Sequence, residues 1–275
     1  EAMAASLQVV FETAAMHVLT HVQKQTRATR LCLAGGCAMN SVANGKIRER
    51  TPFRDVFIQP ASGDNGTSLG AAFAAWHQAS PAAPRNFVME HGYWGSCFGN
   101  ETIGAAIERQ RHTFDEHGCT HQTFPDDDAV DEWTAAQLAD GRVVGWFQGR
   151  MEWGARALGN RSILADPRRA DMRDIINTRI KFREKFRPFA PSILVEKLDD
   201  YFVGAVADPF MLQVYPVRPD KRAVVPAVTH VDGSGRLQTV SERSNPRYWR
   251  LIRAFERLTG VPIVLNTSFN ENEPI

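Results

Sequence analysis

The sequence predicts an α/β unit followed by an α+β unit, and three observations predict this arrangement. Over residues 1–80, short apolar runs alternate with helical patterns, and glycine-rich turns stand at the strand ends. Residues 80–84 read Ser-Pro-Ala-Ala-Pro, the composition of a boundary. Beyond residue 125 a capped helix leads into several short strand-like runs. The expected division is therefore 1–80, a connector at 81–124, and 125–275.

In the first unit, Leu7, Val10, Phe11, Ala14, Val18 and Val22 recur at helical spacing, which predicts a helix over about 5–25 with that stripe inward. Residues 30–34 read as a buried strand ending at Gly35-Gly36, with a helix over about 38–49. Residues 55–58 form a second strand, Gly63-Asp64-Asn65-Gly66 a turn, and 67–77 a helix. In the second unit, Asp126, Asp127 and Asp128 place negative charge at a helix start, and Gly141 supplies its stop. Strands are expected at 142–147, 210–215, 223–229, 237–240 and 261–265, with a helix over 246–258.

Composition narrows the class. The 275 residues are 43% hydrophobic and 23% charged, as in globular domains, and the net charge of +1 sets up no global field. Any anion site must come from local clustering. The four cysteines form no CxxC pair, so a zinc ribbon is not expected. Cys32 and Cys37 are expected to be buried thiols, and a cytoplasmic location is expected. No apolar run approaches the roughly 18–20 residues of a membrane span, no signal peptide is read at the start, and no membrane partner is expected. The chain reads as part of a longer protein.

Two constellations carry chemistry. In Leu33-Ala34-Gly35-Gly36-Cys37-Ala38-Met39-Asn40 a strand meets a diglycine turn and a helix start, an arrangement that can cradle a phosphate or simply form a tight turn. Asp64 lies at the mouth of the next strand, where a carboxylate can hold a cation or cap a helix. His17 and His21 stand at metal-ligand spacing but read as ordinary packing or surface residues.

The second constellation is basic. From Arg150 to Arg187 eleven Arg and Lys face five Asp and Glu, a local +6. Arg168, Arg169 and Arg173 are expected on solvated helix faces. Phe182, Phe186 and Phe189 are expected to anchor the segment while the cations face a cavity. Arg presents a planar fork to phosphate and Lys a point charge, so the set suits a triphosphate and a second anion. Single-stranded nucleic acid ranks lower, because the cluster is short and the whole chain is neutral.

LAGGCAMNSVANGKI, QPASGDNGTSLGAA, GWFQGRMEWGARALGNRSILADPR, INTRIKFREKFRPFAPSIL, THVDGSGRLQTV and VPIVLNTSFNENEPI together resemble the NodU/CmcH-type O-carbamoyltransferase family. Trp153 and Ala155 replace the Phe and Pro of the family pattern. The resemblance implies part of an actin/Hsp70-like nucleotide lobe, similar to the domain of tRNA threonylcarbamoyl-transfer enzymes, followed by a YrdC-like α/β domain. It implies that Gly35, Gly36 and Asn40 line a nucleotide site and that Asp64 is one ligand of an iron-type metal (Fe²⁺ or a similar divalent ion). The family's other ligands, a His pair among them, fall in a first half not present here. It implies catalytic roles for Arg156, Lys181, Arg187, Asn266 and Ser268 and substrate contacts from Arg161, Arg183, His230 and Arg236. His230 reads equally as a strand-end histidine with a backbone partner.

The implied reaction joins carbamoyl phosphate and ATP, with Mg²⁺, into a carbamoyl-adenylate, and passes the carbamoyl group to a hydroxyl of a small molecule or oligosaccharide. Nodulation factors and antibiotics are the family's acceptors. A homodimer is left open. Hydrogenase-maturation carbamoylation is an alternative, opposed by the reversed domain order and the missing CxxC pairs, and an RNA-binding module is another.

Overall fold

The computed structural model describes residues 2–271, so the end of the NTSFNENEPI stretch, 272–275, lies outside the described residues. The first unit holds α1 (Ala2–Thr26), β1 (Arg30–Leu33), α2 (Ser41–Gly45), α3 (Ile47–Arg50), β2 (Asp55–Ile58) and α4 (Thr67–Ala79). Strands β1 and β2 pair in parallel, Arg30 beside Asp55 and Leu33 beside Ile58.

The expected helix over 38–49 is broken. A 3₁₀ turn at Gly36–Met39 precedes α2, and α3 follows it. Asn40 causes the first break: its side chain caps α2 by accepting from the Ala43 N–H at 3.1 Å, which requires a non-helical backbone at Asn40.

Helix α1 docks by a different face from the one its apolar stripe predicts. Glu12 and Met16 are its buried residues. Glu12 receives Lys46 Nζ at 2.6 Å and Arg50 Nη1 at 3.0 Å, and Gln8 exchanges hydrogen bonds with Asn40. Leu7, by contrast, is 70% exposed, and Val10, Val18 and Val22 are exposed with it. A carboxylate that meets two cations at close range is satisfied in the interior, so the polar pairs set the docking rotation.

The same helix is long and apolar enough to cross a membrane by length and composition, which corrects the sequence expectation. Counting unbroken apolar runs misses a stretch in which Thr, His and one Glu punctuate a mostly apolar helix. Cys32 and Cys37 are exposed rather than buried. Along β1, Leu31 and Leu33 turn toward Met16 and Phe53, which puts Cys32 on the opposite, uncovered side of a two-stranded sheet.

The connector carries α5 (Asn100–Arg109) and α6 (Arg111–Glu116). The second unit follows with α7 (Asp127–Ala139), β3 (Val144–Phe147), β4 (Arg161–Ala165), α8 (Met172–Arg179), β5 (Ala190–Leu194), α9 (Leu198–Tyr201), β6 (Gln213–Pro216), β7 (Ser234–Val240), α10 (Pro246–Thr259) and β8 (Ile263–Ser268). Asp126 caps α7 through Ala129 N at 2.8 Å, and Gly141 ends it with φ +83°, as expected. Six strands form one sheet in the order β3-β4-β8-β5-β7-β6, antiparallel except for β5 with β7. Helices α7 and α10 pack together over the main core, where Tyr248, Leu251, Ile252 and Phe255 meet Ile193, Val264 and Leu265.

Residues 223–229 are a turn and a 3₁₀ stretch, not a strand, because Pro226 has no N–H for a ladder. Strand β4 arises inside the basic segment and β5 just after it, where none was expected. Both are buried along their whole length. A second core joins the two units: Ala38 and Ile58 pack with Leu158, Ala190, Phe210 and Leu212.

Candidate active site

The site grows from one face of the six-stranded sheet. Ser192 pairs with Gln238, and Ala190 pairs with Asn266, so Ser192, Gln238 and Asn266 share a face. Arg236, two residues before Gln238, and Ser268, two after Asn266, project the same way. Asn266 Nδ2 donates to Ala157 O at 3.0 Å, to Ser192 Oγ at 3.1 Å and to Gln238 Oε1 at 3.1 Å. Gln238 Nε2 donates to Leu158 O at 2.7 Å. These bonds fasten the loop 151–160 to the sheet. The Asn266 Oδ1 oxygen is buried with no partner among the described residues.

Glu152 shapes the loop itself. Its Oε1 accepts from the N–H groups of Leu158 at 2.7 Å, Asn160 at 2.9 Å and Arg161 at 3.2 Å. Behind it Gln148, Asn160 and Asn245 form a buried hydrogen-bonded cluster. Gly159 has φ +102°, and a Cβ there would stand 2.1 Å from the Tyr248 ring, so no other residue fits.

Between loop and sheet lies a cavity of about 330 Å³, lined by Glu152, Arg156, Arg161, Ser268 and Asn270 among others. Arg156 and Arg161 line it, and Arg236 stands near Arg156. The side chains of Arg156 and Arg236 donate no hydrogen bond and form no ion pair among the described residues, and the Nε of each is buried and unsatisfied. Burial, then the nearby Arg156 charge, push the Arg236 guanidinium down to about 9, while Asp208 pulls it back. Burial lowers Arg156 as well. Two like charges partly withdrawn from water, with Asp208 acting on Arg236 but ion-paired to neither, are costly, and an anionic ligand would relieve them.

Lys181 joins them from the turn after α8. It is 1% exposed, and its Nζ donates to Ser268 O at 2.6 Å, Ser268 Oγ at 3.2 Å, Asn270 O at 2.5 Å and Asn270 Oδ1 at 3.0 Å. Burial, then Arg183, push its ammonium down to about 8. Lys181 thus fixes the end of β8 at the cavity rim.

The other expected site residues divide. Arg161 is buried, donates to the carbonyls of Gln148, Gly149 and Asn160, and stacks 3.5 Å from the Phe147 ring centre, so most of its fork is committed to the β3–β4 turn. Arg183 donates to Asn177 Oδ1 at 2.7 Å and lies over Phe189. Arg187 is exposed and pairs with Glu184 at 2.7 Å, outside the converging set. His230 meets Ser234 through its backbone N–H and its ring, and burial lowers its pKa.

Phe182 and Phe186 are exposed, the latter 77%, and only Phe189 anchors the segment. The expectation is inverted because oxygens at the end of β8 satisfy the Lys181 ammonium, and no apolar pocket meets Phe182 or Phe186. Arg168 is likewise no solvated charge: it forks onto the buried Asp166 at 2.7 Å. Arg169 is exposed and pairs with Asp171, as a surface charge does.

In the first unit the Gly35 N–H donates to Ser62 O at 2.6 Å, which joins the diglycine turn to the Asp64 loop. Gly35 has φ +101°, and no atom approaches where a Cβ of Gly35 or Gly36 would stand. Asn40 is engaged as the α2 cap and with Gln8. Asp64 is exposed, and no group of three His, Cys, Asp or Glu able to hold a metal occurs among the described residues. The two units touch at this point: a Cβ on Gly154 would lie 2.6 Å from Pro60 O. Sequence reasoning passed over Glu152 and Asp208. The signal for Glu152 was a lone carboxylate inside a stretch of glycines and cations; Asp208, buried with both oxygens on the Phe210 and Leu212 N–H groups, gave none.

A sheet face carrying arginines beneath a glycine-rich loop, in an α/β protein, is an arrangement suited to an anion. Family profiles narrow the class: one described as "Carbamoyltransferase N-terminus" matches residues 1–73, and one described as "Carbamoyltransferase C-terminus" matches residues 135–275. The chain belongs to the carbamoyltransferase family. Nodulation protein NolO of Bradyrhizobium diazoefficiens is 46% identical over 99% of this chain and 49% of its own length. Nodulation protein NolNO of Sinorhizobium fredii is 47% identical over 99% of this chain and 40% of its own. The 3'-hydroxymethylcephem-O-carbamoyltransferase of Streptomyces clavuligerus is 38% identical over 89% of this chain and 43% of its own. The chain spans about half the length of the curated relatives it matches or less.

Proposed function

We propose that this chain belongs to an ATP-dependent O-carbamoyltransferase and that its second unit, as a YrdC-like domain, forms carbamoyl-adenylate from carbamoyl phosphate and ATP. The observation that carries this is a pair of guanidinium groups with buried, unsatisfied Nε atoms: Arg156, which lines the cavity above the sheet, and Arg236, close enough to Arg156 to feel its charge. Pyrophosphate departure builds negative charge, and cations already fixed in a low-dielectric site stabilise it without reorganising. Arg156 and Arg236 hold phosphate oxygens. Lys181 keeps Ser268 and Asn270 in place at the rim, and Asn266 braces the loop 151–160 against the sheet, so that these residues shape the space for the carbamoyl group. Mg²⁺ would add charge neutralisation when bound with ATP.

The first unit, as an actin/Hsp70-type lobe with Gly35, Gly36 and Asn40 beside the nucleotide, would receive the adenylate and pass the carbamoyl group to an acceptor hydroxyl. The contact of Gly154 with Pro60 supports a short path, since it sets the cavity loop against the Asp64 loop. Asp64 supplies one carboxylate, which does not make an iron site on its own. The names of the relatives make nodulation factors and cephem antibiotics the acceptor classes to try first.

Carbamoyl-phosphate-dependent exchange of pyrophosphate into ATP tests the reading in the full-length protein. Arg236→Ala and Arg156→Ala should each cost at least about a hundredfold, the size of losing one preorganised donor to developing charge. Exchange at the unaltered rate in both variants would refute it.

A further inference from the structure

We propose that Glu152 is the specificity-determining residue that reads the carbamoyl amide, its free carboxylate oxygen accepting a hydrogen bond from the ligand's NH₂ group. This rests on the carbamoyl phosphate reading above. Glu152 is the carboxylate among the residues lining the cavity. Its two oxygens have different tasks. Oε1 is saturated by the three N–H groups of Leu158, Asn160 and Arg161. Oε2 takes no donor among the described residues, yet belongs to a side chain on the cavity wall.

A carboxylate beside a phosphate site is an electrostatic liability. It lowers the positive potential that Arg156 and Arg161 supply, so binding phosphate alone gives no reason for it. Carbamoyl phosphate does give one. It carries acceptors on the phosphate and the carbonyl, which the arginines can meet, and one donor, the amide, which cations can only repel. The neighbouring acceptors are engaged: Ser268 Oγ receives Lys181 and donates to Asn270 Oδ1, which also receives Lys181. Among the residues lining the cavity, Oε2 of Glu152 is the carboxylate oxygen left free, whereas the unpartnered Oδ1 of Asn266 is buried outside that lining. A site built to meet an N–H discriminates strongly against an analogue that lacks it, because the site's own polar group is then left unpaired.

Acetyl phosphate is that analogue, with a methyl in place of the amide. Calorimetric titration of this chain with fresh carbamoyl phosphate, acetyl phosphate and inorganic phosphate should show carbamoyl phosphate preferred over acetyl phosphate by at least about tenfold. Glu152→Gln retains an Oε1 acceptor for the loop, so it should fold, as its melting curve will show, and still bind inorganic phosphate. Its amide would face the ligand amide donor to donor, and the preference should vanish. Equal affinities in the unaltered chain overturn the proposal whatever the variant does, and so does a preference that survives in Glu152→Gln. If the unaltered chain binds no phosphate compound, the carbamoyl phosphate reading itself falls. If it binds all three alike, that reading stands and only the role of Glu152 is lost.

Discussion

Single side chains in this protein are placed by what satisfies their charge rather than by the average habit of their type. Lys181 is buried because four oxygens surround its ammonium; Phe186, in the turn that leads into β5, stands in solvent. Arg161 and Arg236 both lie beneath the same loop, but the first spends its fork on backbone carbonyls and the second is left with none. His230 sits between Asp232 and Arg236, and burial, opposed by Asp232 and aided by Arg236, depresses its pKa below the ordinary 6.5. The unfolded chain therefore takes up a proton first as pH falls through 6.5, so the stabilisation from a neutral His230 is present above that pH and lost below it. Urea midpoints at pH 7.5 and 5.5 should fall further in the unaltered protein than in His230→Gln. Equal falls would remove the histidine from the account.

At the scale of elements, α7 and α10 are held by more than apolar packing. Asp131 of α7 is 3% exposed on its side chain and receives Arg247 at 3.4 Å and Arg250 at 3.2 Å from α10, while Asp127 and Asp128 pair with the same arginines at the edge. Burial nonetheless lifts the Asp131 carboxyl to about 6 against the pull of both arginines. Replacement of Asp131 by Ala leaves two guanidinium groups without their inner partner. It should cost about 2–3 kcal/mol, less than a fully buried pair because both arginines reach solvent. Chemical denaturation at pH 7 measures it, and a loss below about 0.5 kcal/mol would show the clamp to be ornamental.

Local signals made α10 easy to read: Asn245 caps it, Pro246 opens it and Gly260 at φ +73° closes it. Strands β4 and β5 were hidden by their charged and proline-bearing neighbours. Nothing in Arg161-Ser162-Ile163-Leu164-Ala165 announces burial of its arginine.

Across the whole molecule, the two units are joined by close backbone approach. A Cβ on Gly45 of α2 would lie 2.0 Å from Val214 O of β6, Asn44 donates to Leu212 O at 3.0 Å, and Gly154 meets Pro60. Gly45→Ala should wedge the units apart. Scanning calorimetry should then resolve two unfolding steps in place of one, with the core of the second unit melting close to its unaltered temperature. A single unshifted transition would show that the contact carries no coupling.

From the sequence alone came the alternation of strands and helices in the first unit, the capped helices of the second, the six motifs and the local excess of Arg and Lys that mark the family. Those depend on residue type and spacing within a few turns of chain. Tertiary structure decided which of eleven cations in that segment keep an uncompensated charge, which face of α1 docks, and that Glu152 stands at a cavity wall. Each of those outcomes turns on partners from distant strands, such as the oxygens of Ser268 and Asn270 for Lys181 or the arginine of β7 for Arg156, and the energy of a buried charge is fixed by its neighbours in space.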